Sequence, residues 1–281
     1  MDIIEKITGN VSENTACWNA VESAIEECGV DIPEGTPKTE YADKVSEVYE
    51  AGRKAEYDAF WDAFQNYGNR KSYRGAFGSC FTADNFKPKY PIVPKRTYNN
   101  DNAEAEMFYY TNRDNPNNPI DLSDYPIDLS HLNDNYVGGT NTVFRNAYVE
   151  NVFVDLAGFT SIGTLFIYGD ASRSPNNIRF RITESTTTIG DILYYVARFE
   201  NSKLTLSFTE DSVLVASLRL GQTEYITPEG IRNIFGVMSD SATGQTLTLK
   251  TAAVTNAFGS VDSEEWQTLV ASKPNWTISL T

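Results

Sequence analysis

Two arginines that stand two residues apart, Arg179 and Arg181 in NIRFRI, open the chemical reading of this chain. A guanidinium is a planar fork that suits carboxylate and phosphate groups. In an alternating segment both arginines share one face, because successive side chains of a strand point to opposite sides. The same alternation turns Phe153 and Asp155 of NVFVDL outward, and Thr205 and Ser207 of KLTLSF. Val152, Val154, Leu156, Ile178, Phe180, Ile182, Leu204, Leu206 and Phe208 then face inward. Two chemistries stay open for the outward set of Phe153, Asp155, Arg179, Arg181, Thr205 and Ser207. It is a ligand-binding ladder for an anion or a glycan, or Asp155 pairs with Arg179 or Arg181 across strands. A cross-strand ion pair contributes roughly 0.2–1 kcal/mol.

Other reactive residues are sparse. His131 is the one histidine, so a Ser-His-Asp triad or a histidine-rich metal site has to pass through it. It lies in IDLSHLNDN, a turn-like stretch without a nucleophile motif, where a solvated loop residue is expected. Cys17, Cys28 and Cys80 form no CxxC pair, and an odd, sparse count suits a reducing compartment. Asn/Asp clusters at 99–102 and 112–118 raise calcium, but the EF-hand spacing is absent and these residues also favour turns. No GxSxG, P-loop or HExxH occurs. The expectation is no catalytic residue, no metal, no cofactor and no enzymatic activity.

Charge narrows the partners. Lys and Arg total 23 against 38 Asp and Glu, a formal net charge of −15. Nucleic-acid binders need cations to release counterions from phosphate, so nucleic acid is excluded as a general partner. An anionic membrane surface is disfavoured for the same reason. No apolar run approaches the roughly 20 residues of a membrane span, and the start lacks a signal-peptide pattern. A hydrophobic content of 41% permits a real core.

The elements that position these residues follow from periodicity. Residues 1–68 read as helical, with Ser12 as an N-cap and Pro37 at the first position of a second helix. Tyr41, Val45, Val48 and Gly52 recur at alternating steps of four and three, a heptad seam. The seam closes within a helical hairpin or against copies of itself; a homotrimer is expected. Residues 69–118 are irregular and proline-rich, a linker. From 119 to 281 the chain looks repetitive. NVFVDL, NIRFRI and KLTLSF begin at Asn151, Asn177 and Lys203, 26 residues apart both times. A period of 20–29 residues with one alternating strand is a leucine-rich-repeat signature. A β-sandwich with chance spacing is the competing architecture. YITPEGIRNIFGVMSD reads as a helix capped by Thr227 with Pro228 first, and SEEWQTLVAS as another. The expected fold is therefore α+β: an N-terminal helical region, then a leucine-rich-repeat-like β-solenoid with a helical C-terminal cap.

Residues 47–93 carry VYEAG, YDAFWDAFQNYGNR and FKPKY, and the end carries ITPEGIRNIFGVMSD, GQTLTLKTAAVTNAFG and KPNWTISL. These segments resemble prophage-encoded proteins of Gram-positive gut bacteria, often found among phage tail or structural genes. TSIG and TTIG resemble the degenerate leucine-rich repeats of BspA-like bacterial surface proteins. The resemblance covers roughly residues 40–281 and brings no catalytic residues.

It implies a phage virion structural protein, a tail or baseplate fibre or receptor-binding protein that contacts the host surface. It would be made in the host cytoplasm and carried in the particle. Its partners would be itself, other phage particle proteins, and a bacterial surface glycan or protein, without membrane insertion. The alternatives are a bacterial cell-surface leucine-rich-repeat adhesin and a head fibre or decoration protein. A glycan-cleaving enzyme needs two carboxylates at a set distance, which sequence does not pair.

Overall fold

The computed structural model describes residues 142–168 and 175–281 without a break, together with 107–112, 117–129 and 136–137. Before residue 107 it describes the short stretches 31–33, 76–78, 81–88 and 92, with a few single positions or pairs between 19 and 59. The chain divides into two compact units, residues 1–66 and 67–281. Every strand among the described residues lies in the second unit. The helical seam of Tyr41, Val45, Val48 and Gly52 lies outside the described residues, as do His131, Cys17, Cys28 and Cys80.

In chain order the first strands are β1 (Phe108–Tyr109), β2 (Ile120–Asp121), β3 (Ile127–Asp128), β4 (Tyr136–Val137), β5 (Phe144–Arg145) and β6 (Val149–Glu150). Next come β7 (Val152–Asp155), β8 (Ser161–Ile162), β9 (Phe166–Ile167), β10 (Asn177–Arg181), β11 (Thr188–Ile189) and β12 (Leu193–Tyr194). The rest is β13 (Thr205–Phe208), β14 (Leu218–Leu220), α1 (Pro228–Val237), β15 (Thr246–Leu249), α2 (Thr251–Phe258), α3 (Glu264–Ala271) and β16 (Thr277–Leu280).

All strand pairings among the described residues are parallel. They form five small sheets, ordered β13-β10-β7-β3, β11-β8-β4, β1-β5-β9-β12, β14-β15-β16 and β2-β6. Parallel neighbours cannot be joined by a tight hairpin. From β1 to β13 the crossovers carry strands of the other sheets, so β7, β8 and β9 lie in three different sheets, as do β10, β11 and β12.

This architecture corrects the expected fold class. The described residues are not an N-terminal helical region followed by a leucine-rich-repeat-like β-solenoid with a helical cap. From residue 107 on they are mostly short parallel strands in several small sheets, with three helices of eight to ten residues between 228 and 271. Two physical facts overturn the expectation. The spacing between paired residues is not a fixed period: Phe144 pairs Phe166, Ile178 pairs Leu206, and Phe108 pairs Phe144, separations of 22, 28 and 36. The helices also do not stand together behind the sheets, although α1 packs on the β13 edge. They interleave with β14, β15 and β16, serving as the crossovers that parallel pairing demands.

Alternation explains the core. Val152, Val154, Ile178, Phe180, Leu204 and Leu206 are buried on the inner face, and Phe208 is half-buried. Phe108, Phe144 and Phe166 stack face to face with centroids 4.8 and 4.5 Å apart, one ring per strand of the same sheet. Phe77 continues the column at 5.0 Å from Phe108, and Phe86 packs edge-on to Phe77 at 5.2 Å. The segment 69–118 thus contributes fully buried aromatics to the core. Tyr168 is buried in the same interior and donates its hydroxyl to the Ala147 carbonyl at 2.7 Å. On the surface an amide ladder ties neighbouring strands: Asn151 donates to Asp121 at 3.0 Å and Asn177 donates to Asn151 at 2.9 Å.

The β13 edge is closed by α1. Thr227 caps the helix, accepting from the Gly230 amide at 3.0 Å, and Pro228 needs no N–H partner at the first turn. Ile231, Ile234, Phe235 and Met238 are buried. A Cβ on Gly230 would lie 2.9 Å from the Leu206 amide, so only glycine lets the helix approach this closely. Asn233 then reaches the Leu206 carbonyl at 2.9 Å, and an unpaired strand edge is covered. Trp266 of α3 packs edge-on to Phe235 at 5.8 Å.

Truncating the middle of the aromatic column tests this account. Phe144→Ala leaves a cavity between two stacked rings and is expected to lose about 3–5 kcal/mol of unfolding free energy. Urea denaturation followed by far-UV circular dichroism reads the loss.

Candidate functional site

The sheet of β7, β10 and β13 brings the expected outward residues onto one face. Its parallel register sets Arg179 beside Phe153 on one side and Ser207 on the other. Arg181 stands beside Asp155, and Thr205 beside Asn177. Sequence spacing alone aligns Lys203 with Asn177; the observed register is shifted by two residues. The short 3-10 turn at Glu200–Ser202 takes up the extra length. Because the shift is even, each side chain keeps its face.

The two arginines do different things. Arg181 is clamped: its Nη1 lies 3.2 Å from Asp155 Oδ2, and its Nε and Nη2 both lie 2.8 Å from Asp211 Oδ2. Asp155 is itself held in place by accepting from the Ala157 amide at 2.9 Å. Both carboxylate bonds push the Arg181 guanidinium above its ordinary range. Asp211 is held below the usual carboxylate range, first by the Thr209 hydroxyl and then by Arg181. This triad is a structural clip between strands and the following turn. Asp211 is not among the residues expected from sequence; its signal is an acid in the turn TEDS directly after an alternating strand.

Arg179 is exposed and has no ion pair among the described residues. Its guanidinium lies 5.9 Å from the Phe153 ring centroid, within the range of a cation–π contact. Thr205 is drawn to the helix cap, its hydroxyl 3.1 Å from that of Thr227. Of the six residues, then, Arg179 with Phe153 and Ser207 forms the part of the face whose hydrogen-bonding capacity is open. The chemistry it offers is planar recognition of an anion beside a small apolar surface.

No protein-family model, curated protein or solved structure matches the chain. Among the described residues no group of three or more His, Cys, Asp or Glu is placed to hold a metal ion. No helix among them is long and apolar enough to cross a membrane. A pocket of about 270 Å³ lies beside β16, lined by Asp240, Ser272, Lys273, Pro274, Asn275 and Trp276. Its polar groups are already engaged. Lys273 Nζ donates to the Met238 carbonyl and to Asp240 at 2.7 Å each, and Trp276 Nε1 donates to the Ser239 carbonyl at 2.9 Å.

The clip and the open arginine separate by pH. The folded-state pKa of Asp211 lies below its ordinary value of 3.8. Its contribution to stability is therefore present above the unfolded value and lost as pH falls through the folded one. Arg181→Ala should lower the melting temperature at neutral pH, and its deficit should shrink as pH drops below 3.8. Arg179→Ala should match the parent protein at every pH. Calorimetric scans from neutral to acid pH read both curves.

Proposed function

We propose that this chain is a structural protein of a phage particle, a tail or baseplate fibre or receptor-binding component, whose sheet face at β7, β10 and β13 meets the host surface. The observation that carries the contact role is Arg179: an exposed, unclamped cation beside Phe153 in a chain of net charge −15. Its neighbour Arg181 is spent on Asp155 and Asp211, so a structural need for positive charge is already met there. A bacterial surface glycan or protein with acidic groups is the complementary partner.

The likeness of residues 47–93 and of the C-terminal segments to prophage-encoded proteins supports the particle assignment. The chain acts there as a binding and building element, without enzymatic activity or cofactor. It works as a homo-oligomer, with a trimer preferred, and it joins other particle proteins.

Mass spectrometry of gradient-purified particles from the source lysogen should find this chain at structural-protein abundance, and its absence would remove the particle reading. Light scattering should give about three times the 31.3 kDa chain mass; a monomer at micromolar concentration would remove the trimer. For the contact role, Arg179→Ala should abolish adsorption of labelled protein to Gram-positive cell walls while leaving the melting temperature unchanged. Adsorption that survives Arg179→Ala excludes this face as the contact.

A further inference from the structure

The segment that follows β12 carries a second feature, independent of the Arg179 face. β12 is an edge strand: Leu193 is buried, while Tyr194 sits beside Ile167 of β9. The chain then turns through Tyr195 at φ 60° and Ala197 at φ 48°, both in the left-handed region that disfavours L side chains. At the corresponding point after β5 the residue is Asn146, at φ 50°, and asparagine tolerates that conformation. Tyr110 takes the same step directly after β1, at φ 52°, so the left-handed turn recurs along this sheet and fixes the direction in which Tyr195 leaves it.

What the bend displays is aromatic and cationic. The Tyr194 and Tyr195 rings lie 4.3 Å apart, and a hydrogen bond between them raises the Tyr194 phenol above its ordinary value. The Arg198 guanidinium lies 4.7 Å from the Tyr195 ring centroid. Arg198 is exposed and has no ion pair among the described residues. Phe199 is 51% exposed, alone among the large hydrophobic side chains described. The Ala197 carbonyl, which accepts from the Glu224 and Tyr225 amides at 3.1 and 2.9 Å, fixes the bend that presents them. A single exposed apolar residue is ordinary. Here it follows directly on a cation that lies over an aromatic ring, in an acidic chain.

We propose that Tyr194, Tyr195, Arg198 and Phe199 form a binding site for a pyranose that bears a carboxylate, as in a uronic-acid polysaccharide. The apolar C–H face of such a ring packs on an aromatic side chain. Its carboxylate accepts two hydrogen bonds from the fork of Arg198, the cation that lies over the Tyr195 ring. A neutral sugar supplies the ring and leaves Arg198 unanswered. A poly(glycerol phosphate) chain supplies the anion and leaves the aromatics unanswered. The pairing of the two features therefore selects an anionic sugar.

The test uses the full chain and isothermal titration with tetragalacturonate, maltotetraose and poly(glycerol phosphate). Tetragalacturonate should bind, and more weakly as salt rises. The other two should bind at least about tenfold more weakly. Arg198→Gln and Phe199→Ala should each lower tetragalacturonate affinity by about tenfold at an unchanged melting temperature. Tyr195→Asn should lose binding and raise the melting temperature, because asparagine sits easily at positive φ. No binding of tetragalacturonate to the parent protein overturns the proposal. So does binding that survives Arg198→Gln, or poly(glycerol phosphate) binding equally well. Arg232→Gln removes an exposed cation outside both faces and should leave this affinity unchanged. Binding lost in Arg179→Ala but kept in Arg198→Gln assigns the acidic sugar to the host-contact face and overturns the proposal, so the two readings fail separately.

Discussion

The structure depends on burial between strands that are too short to be stable alone. Most strands here contribute two residues to a ladder, which fixes few hydrogen bonds for the backbone entropy lost. The column of Phe108, Phe144 and Phe166 offsets that cost by stacking one ring per strand in a closed interior. Fully burying such a side chain stabilises by about 1.5–3 kcal/mol relative to exposure. Each ring gains it only if the strand on either side is in place, so neighbouring strands are cooperative. Phe77 and Phe86 extend the column, which draws residues before β1 into the same interior.

Cooperative stacking leaves the outer faces free to vary, and the chain uses that freedom in three ways. On β7 and β10 the outward positions hold the Asp155–Arg181–Asp211 clip, which ties a strand to the next turn. At the starts of β7 and β10 an Asp121–Asn151–Asn177 ladder replaces charge with amides that bond both up and down. An amide suits this role because it donates and accepts at once, whereas a carboxylate can only end a ladder. Asp121 stands at such an end: burial pushes its carboxyl up, and the Ser123 and Asn151 donors together bring it below its usual range. Arg179 and Arg198 are outward cations that neither device consumes.

What is legible in the sequence is local. Two-residue alternation in NVFVDL, NIRFRI and KLTLSF shows which side chains face in, and the structure places strands at those segments. Thr227, Pro228 and Ser263 mark two helix starts by cap chemistry that depends only on nearby backbone donors. The α2 helix is not legible, because Lys250 gives no side-chain cap and TAAVTNAF has a weak apolar stripe. The global pattern is less legible still. A constant 26-residue spacing invites a regular repeat, but the crossovers vary in length because they house turns with strands of other sheets up to β13 and helices after β14. The bend at Tyr195 and Ala197 is invisible for a related reason. Positive φ at non-glycine residues is imposed by the surrounding packing, and no residue type there announces it.

The split between Arg179 and Arg181 shows why site reasoning from sequence reaches a face but not a role. Both side chains leave the same strand on the same side, and spacing treats them as equals. The distinction comes from what the fold delivers beside each one. The turn after β13 brings Asp211 to Arg181, and the Asp155 carboxylate is preset by the Ala157 amide to meet it. Beside Arg179 the register supplies Phe153 and Ser207, a ring and a hydroxyl, and neither neutralises a cation. A cation that shares a sheet with acids and is still left uncompensated keeps its full hydrogen-bonding capacity in water. Such a group adds little to folding, because an exposed charge is already solvated. It adds to binding only when a partner brings the opposite charge in a geometry that the fork can meet.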